Sequence, residues 1–292
     1  MAAEHIRTWR IGDVEIARIV EVNDHTDPFS MLSEGMTAEH ALQYDWLQPH
    51  FITPEGRMKI SFQCFVLRSG KDRVMIDTCI GNGREREFDI FTNMQTTFLD
   101  DLKVAGFPRE SITKVLCTHL HFDHVGWNTM QVDGKWVPTF PNARYYFGRQ
   151  EYDHWKELER TGNYHDLTHV GDSINPVFEA GLVELVGTTA QITDEVSIFP
   201  TPGHTPGHVS VAIHSRGAEA VITGDMMHHP IQFAEWERPV NFDMDKDAGR
   251  KSRRAFIDRV ADKKVLVIGT HFTHPSSGYV VRDAKNWKLK AE

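Results

Sequence analysis

Residues 118 to 126 read THLHFDHVG and collect His119, His121, Asp123 and His124 within six positions, directly after the apolar run KVLC. The chain holds 17 histidines, and a single His on an apolar element is more often a hydrogen-bonded core or surface residue than a ligand. By itself the motif therefore also fits a polar loop facing water. Three further places shift the weighing. FPTPGHTPGH offers His204, AVITGD offers Asp225 and VLVIGTHF offers His271, each where an apolar strand meets a Gly-containing turn. A rigid sheet can hold a side chain still at such a place. The set is five histidines and two aspartates, enough for two metal ions that share one carboxylate. Imidazole and carboxylate without thiolate suit Zn, and also Co, Mn or Fe, because affinity order alone does not select the metal.

Elements that could position these residues are visible around them. TWRIGDVEIARIVEV alternates about a Gly-Asp turn, and KISFQCFVLRSGKDRVMIDTCIG is two apolar runs joined by SGKD, so two hairpins are expected. MQTTFLDDLKVAGF places Met94, Phe98, Leu102 and Ala105 at helical spacing before the stop at Gly106, and the strand TKVLCT then delivers the first motif. Later, ARYYFG reads as a strand, RQEYDHWKELER as a helix, and LVELV, VSIFPT, HVSVAIHS and EAVITGD as strands. The stretch DKDAGRKSRRAFIDRVADKK predicts a helix with Ala255, Phe256, Val260 and Ala261 facing inward, again followed by a strand that ends in a His. This echo between KVLCTH and KVLVIGTH suggests two similar halves packed face to face. No Pro-, Ser- or Gly-rich linker divides them, so one domain over residues 1–292 is expected. Residues 24–59 and 160–181 are long for plain connections and are candidate lid or substrate loops.

A chain of 292 residues buries a substantial core without a metal staple. A net charge of -9, from 41 acidic and 32 basic residues with no Lys/Arg block, argues against nucleic-acid or anionic-membrane partners and for a small, neutral, hydrophobic substrate; a homodimer stays open. Cys64, Cys79 and Cys117 lack CxxC spacing and read as small buried hydrophobes. The charged start and the lack of any long apolar stretch lead to the expectation of a soluble, cytoplasmic protein.

On these residues the sequence resembles the metallo-β-lactamase superfamily, in its binuclear hydrolase branch. HxHxDH is complete as His119, His121, Asp123 and His124, and the later His, the bridging Asp and the last His match His204, Asp225 and His271. VMIDTCIG resembles the family's strand-end Asp segment at Asp77, with Cys79 where Gly is usual. The resemblance spans roughly residues 60 to 275. It implies an α/β fold, a four-layer αββα sandwich with the site at one edge of two sheets. It implies that His119, His121 and His204 hold one divalent metal, Asp123, His124 and His271 a second, and that Asp225 bridges them. Two such ions share a hydroxide nucleophile, and the implied activity is cleavage of a lactone or an aryl or alkyl ester, with phosphotriesters as a side activity. Asp123 is the candidate for carrying a proton to the leaving group, although a ligand role alone would explain it equally.

His228, followed by His229, stands three residues after Asp225, where bacterial acyl-homoserine lactonases of the superfamily carry a Tyr; a His there resembles the branch of methyl parathion hydrolase and related aryl esterases. It is the candidate hydrogen-bond donor to the substrate, or a His that orients a neighbouring carboxylate. Phe29, Met31, Leu32, Trp46, Phe51, Phe233 and Trp236 are candidates for walling an apolar pocket, two or three of them being expected to do so. Other chemistries fit less well. A glyoxalase II-like thioesterase would be expected to carry a basic, helical C-terminal domain, and about 20 residues follow His271. A nuclease would want a basic face, a diiron flavoprotein a Glu at the place of His121, and a β-lactamase would lack a bridge like Asp225. Mononuclear-iron relatives share much of HxHxDH and differ in metal count. A non-catalytic metal protein would be expected to close its site with four ligands, not seven.

Overall fold

The computed structural model describes residues 6–292; the first five residues, which carry part of the charged start and the first bound of the expected domain, lie outside them. The chain runs through β1 (Ile6–Ile11), β2 (Val14–Asp27), β3 (Met58–Ser69), β4 (Asp72–Ile76), β5 (Lys114–Leu116), β6 (Thr129–Val132), β7 (Lys135–Pro138), β8 (Arg144–Gly148) and β9 (Val183–Val186). Seven of these form one sheet in the order β1-β2-β3-β4-β5-β8-β9, and β6 and β7 make a separate hairpin. A second sheet follows in simple sequence, β10 (Val196–Pro200), β11 (Val209–Ser215), β12 (Ala218–Ile222), β13 (Val265–Ile268), β14 (Ser277–Asp283) and β15 (Asn286–Ala291).

Period-two alternation explains the layers. On β2 and β3, Ile16, Phe65 and Leu67 point into a core shared with Val211, Ile213, Ile222 and Ile268 of the second sheet. Their neighbours Ala17, Ile19, Cys64 and Val66 point the other way, onto Phe98, Leu102 and Trp155 of the helices Phe98–Val104 and Arg149–Thr161. Val221, Val265 and Val267 likewise face outward onto Phe256, Ile257 and Val260 of the helix Lys246–Val260. Strands buried on both faces read as near-continuous apolar runs, and each large aliphatic or Phe side chain so buried contributes about 1.5–3 kcal/mol. The result is the expected four-layer αββα sandwich, with three buried cores between its layers.

The echo of helix, strand and ligand has its counterpart here. β4 and β5 pair in parallel with the helix Phe98–Val104 before β5, and β12 and β13 pair in parallel with the helix Lys246–Val260 before β13. Some local expectations change. The first of these helices begins at Phe98, because Thr96 is held in a turn by Asn82 and Met94 packs against a separate Phe62–Phe91 cluster. On the second, Ala255 is exposed, and the inward face is Arg253, Phe256, Ile257 and Val260. Arg253 can face inward because Asp243 pairs with it at 2.8 Å. Neither long segment is a plain loop. Residues 24–27 continue β2 and residues 58–59 begin β3, whereas 160–181 contains the π-helical turn Val170–Ile174 and the helix Asn175–Glu179. All three cysteines are buried and free, and no helix among the described residues is long and apolar enough to cross a membrane.

Candidate metal centre

Parallel pairing sends the chain out of β4 and β5 at the same edge, and out of β12 and β13 likewise. Asp77 and His119 therefore leave one sheet, and Asp225 and His271 the other, at one end of the sandwich. Asp77 adopts a left-handed φ of 58°, which turns its carboxylate back to accept the Thr118 N–H at 2.7 Å. Cys79 is left-handed too (φ 51°), a conformation that costs glycine least.

All seven residues expected as ligands come together. His119, His121 and His204 form one group and Asp123, His124, Asp225 and His271 another, each with its ligand atoms within 4.8 Å of one another. His121 Nδ1 lies 3.0 Å from His119 Nε2 and 2.7 Å from His204 Nε2. Asp225 stands between the groups: its Oδ2 is 3.2 Å from His124 Nε2, 3.1 Å from His271 Nε2 and 3.5 Å from His204 Nε2. Asp123 Oδ2 lies 3.5 Å from both His124 Nε2 and His271 Nε2.

Outer hydrogen bonds set which nitrogen faces inward. His271 Nδ1 donates to the Ser61 carbonyl at 2.9 Å and His124 Nδ1 donates to Asp77 at 3.0 Å. The Thr118 hydroxyl, donating to Asp77, leaves its oxygen to accept from His119 Nδ1 at 3.1 Å. In its neutral form each of these rings has its Nε2 lone pair aimed at the centre.

The donor set fits divalent cations. Three imidazole nitrogens converging in one group cannot all satisfy each other, and in the second His124 Nε2 and Asp225 Oδ1 are buried in short contacts whose angles make no hydrogen bond. Burial first, then neighbouring imidazoles, hold His119 and His204 well below the ordinary histidine range, and burial lowers His121 to about 3, so this group is neutral. In the second group burial opposes charge on His124, but Asp225, Asp123 and Asp77 outweigh it and hold that imidazole well above its ordinary range. Asp225 stays ionised despite burial because His124, His271 and His228 face it. The buried Asp225 and the partly buried Asp123 attract positive charge here, and hard oxygen with borderline nitrogen ligands is a donor set that divalent metals fill.

Several supports stand outside the residues singled out in the sequence. His208 accepts the Asp225 N–H at Nε2 (2.8 Å) and donates from Nδ1 to Thr201 (2.8 Å). Glu21 accepts from Ile80 N–H at 2.7 Å and Trp127 Nε1–H at 2.7 Å, fixing the turn after Asp77. Glu151 ties the His119–His121 loop to the loop after His204 by accepting from Leu120 and Gly207. The second His of TPGHTPGH was a visible signal for His208; the two glutamates sit in ordinary amphipathic runs.

The centre floors a cavity of about 430 Å³ whose walls include Met58, Ile60, Phe62, Phe91, Phe122 and Phe242. Of the aromatic and apolar candidates, Met31 alone is in this wall; Phe29, Leu32, Phe51 and Phe233 are buried in the outer core of the second sheet, and Trp46 and Trp236 pack against it. His228 does reach the cavity, with Nε2 3.3 Å from Asp225 Oδ2, Nδ1 buried without a partner among the described residues, and its backbone N–H held by Gln232 at 2.7 Å. His229 points away and bonds the Phe51 carbonyl at 2.7 Å. No Lys or Arg lines the cavity among the described residues.

Comparison with known proteins identifies the family and the fold. The family model of the metallo-beta-lactamase superfamily matches residues 63–280. An N-acyl homoserine lactonase of Bacillus sp is 24% identical over 183 residues, 59% of this chain and 65% of that protein, so the chain spans just under two thirds of this relative. The probable metallo-hydrolase YybB of Bacillus subtilis (strain 168) is 25% identical over 185 residues, 60% of this chain and 69% of that one. Among solved structures, the hydrolase AbOPH of the beta lactamase superfamily superposes with a TM-score of 0.80 at 22% identity, covering 99% of this chain and 97% of the other. AidC, a dizinc quorum-quenching lactonase in complex with a product, superposes with a TM-score of 0.76 at 20% identity, covering 98% and 97%. With a family match over well more than half its length, the chain belongs to the metallo-beta-lactamase superfamily.

Proposed function

We propose that the protein is a metal-dependent hydrolase of lactones or of aryl and alkyl esters, with two divalent cations, Zn foremost, held by His119, His121 and His204 on one side and Asp123, His124 and His271 on the other, Asp225 between them. The observation that carries this reading is seven potential ligand residues converging on the floor of a largely apolar cavity with no Lys or Arg in its wall among the described residues. When bound, such a pair of cations supplies a hydroxide nucleophile at neutral pH and polarises the scissile carbonyl.

The chain's own residues do the rest. The phenylalanines of the cavity bind an acyl or aryl group and exclude water from it. His228, which lines the cavity and whose backbone is fixed by Gln232, donates to a substrate oxygen. Asp123, on the cavity side of the centre, carries a proton toward the leaving group. The absence of cations in the wall favours neutral substrates over the anionic glutathione thioesters of a glyoxalase II-like enzyme. Acyl-homoserine lactones, the substrates named for the Bacillus relative, are neutral and belong in the first panel.

The test is metal-reconstituted protein against γ- and δ-lactones, aryl esters, thioesters and phosphotriesters, with Asp225→Ala as control. Outer support residues of metal sites commonly matter 10–100-fold, so loss of the shared carboxylate should exceed about a hundredfold on the preferred lactone or ester. Equal turnover by wild type and Asp225→Ala would overturn the binuclear mechanism, and silence on every lactone and ester would overturn the substrate class.

A further inference from the structure

Besides the two groups proposed to hold cations, a third set of ligand residues stands at the centre. His204, Asp225 and His228 each bring one ligand atom to within 4.8 Å of the others. The separations suit a cation: His204 Nε2 lies 3.5 Å and His228 Nε2 3.3 Å from Asp225 Oδ2. Zinc bonds of about 2.0–2.2 Å at tetrahedral angles put neighbouring ligand atoms about 3.3–3.6 Å apart. The group of His119, His121 and His204 is tighter, with His121 Nδ1 3.0 Å and 2.7 Å from the other two rings.

His228 is held firmly enough to serve as a ligand. Gln232 Oε1 accepts the N–H groups of both His228 and His229, at 2.7 and 2.9 Å, and so fixes the turn after Asp225. The His228 ring packs parallel to His271 at 5.7 Å and against Phe242 at 5.0 Å, and it meets His204 at 4.9 Å. A ligand whose rotamer is set by packing loses little freedom when it binds. Position separates the two sets. His204, Asp225 and His228 all line the cavity, whereas His119 is fully buried and takes no part in its wall. A cation arriving through the cavity therefore meets the third set before it can reach His119.

We propose that His204, Asp225 and His228 form a second, cavity-side seat for the cation otherwise held by His119, His121 and His204, a landing position from which that cation passes inward. This rests on the two-cation reading above. Because His204 is common to both seats, one cation uses them in turn, and once it lies inward His228 is released to face the substrate.

The test is a double-mutant cycle on zinc affinity, read by competition with a chromophoric chelator and independent of turnover. Wild type, His228→Phe, His121→Ala and the double variant are compared; Phe keeps a ring against His271 and Phe242 and removes the nitrogens. With the inner seat intact the cation rests there, so His228→Phe alone should leave both zinc constants within about twofold of wild type. In His121→Ala the cation falls back on the outer seat, and removing His228 as well should weaken the weaker constant by at least about tenfold more. Equal losses in the two backgrounds, or none in either, would overturn the second seat. Should His121→Ala fail to fold, zinc uptake by metal-free protein decides with His121 in place: a landing position requires one equivalent to enter more slowly in His228→Phe, and unchanged rates refute it. A wild type that binds fewer than two zinc ions brings down the two-cation reading and the seat with it, whereas missing coupling in a wild type that binds two brings down the seat alone.

Discussion

Replacing Glu151 by Gln isolates one strut of the candidate metal centre. The carboxylate is 1% exposed; Oε1 accepts Leu120 N–H at 3.2 Å and Trp155 Nε1–H at 2.8 Å, and Oε2 accepts Gly207 N–H at 3.0 Å. The Gln carbonyl can take the place of Oε1 and keep two of these bonds. Its amide nitrogen then faces the Gly207 N–H, donor against donor. One charge-assisted bond is lost and one buried N–H is left unpaired, which costs about 1–3 kcal/mol, with the lower end favoured because a buried charge is removed as well. Gly207 already lies against the Glu151 backbone, where a Cβ would come within 2.4 Å of the Glu151 nitrogen, so the mismatch is relieved by Gly207 moving away. The loop carrying His204 should therefore shift while the Leu120 loop holds. Urea unfolding of metal-free protein measures the stability, and competition with a chelator measures zinc affinity, expected to fall about 10–100-fold as for other outer supports of metal sites. A variant within about 0.5 kcal/mol of wild type, with unchanged zinc affinity, would show that Glu151 is not such a strut.

Two further perturbations probe the same scaffold. Burial raises the Glu21 carboxyl above its ordinary value of 4.5, so the native state holds that proton longer than the unfolded chain. Its contribution to stability is full below 4.5 and is lost as pH rises through the raised native value; urea midpoints against pH should slope downward there in wild type relative to Glu21→Gln, and parallel curves would refute the assignment. Gly224→Ala forces a non-glycine residue to a φ of 56° and brings a Cβ to 2.6 Å from His208 Nε2. It should cost at least about 1–2 kcal/mol and loosen Asp225; an unchanged urea midpoint would contradict the crowding.

Much of this arrangement was legible because ligand residues punctuate strand ends. Apolar runs such as KVLC and AVITGD announce both the buried strand and the point at which the chain leaves it, so His119 and Asp225 could be placed at an edge from the sequence. The cavity walls were not legible. Phe29, Phe51 and Phe233 have the same composition as true wall residues, yet they fill the outer core of the second sheet, while Phe62, Phe91 and Phe122 form the wall from strand and turn positions. Side-chain type alone cannot separate a core aromatic from a pocket aromatic, because both leave bulk water. Glu21 and Glu151 were hidden for the converse reason. Acidic residues in amphipathic segments normally face solvent, and only tertiary packing turns these two inward onto backbone N–H groups. Met94 and Ala255 show how local periodicity overruns: one belongs to a turn pinned by Asn82, the other to the wet face of a helix whose inward stripe contains an ion-paired Arg.

The seven candidate ligand residues are divided between the two sheets: His119, His121, Asp123 and His124 follow β5, whereas His204, Asp225 and His271 follow β10, β12 and β13. Neither half of the chain owns a complete site for either cation. Under the proposed reading chelation would be a clasp across the sandwich, its free energy belonging to the docking of the halves rather than to either one. Metal supply should accordingly govern how tightly the two sheets stay closed on each other, making cation availability a lever on the lifetime of the folded protein as well as on its chemistry.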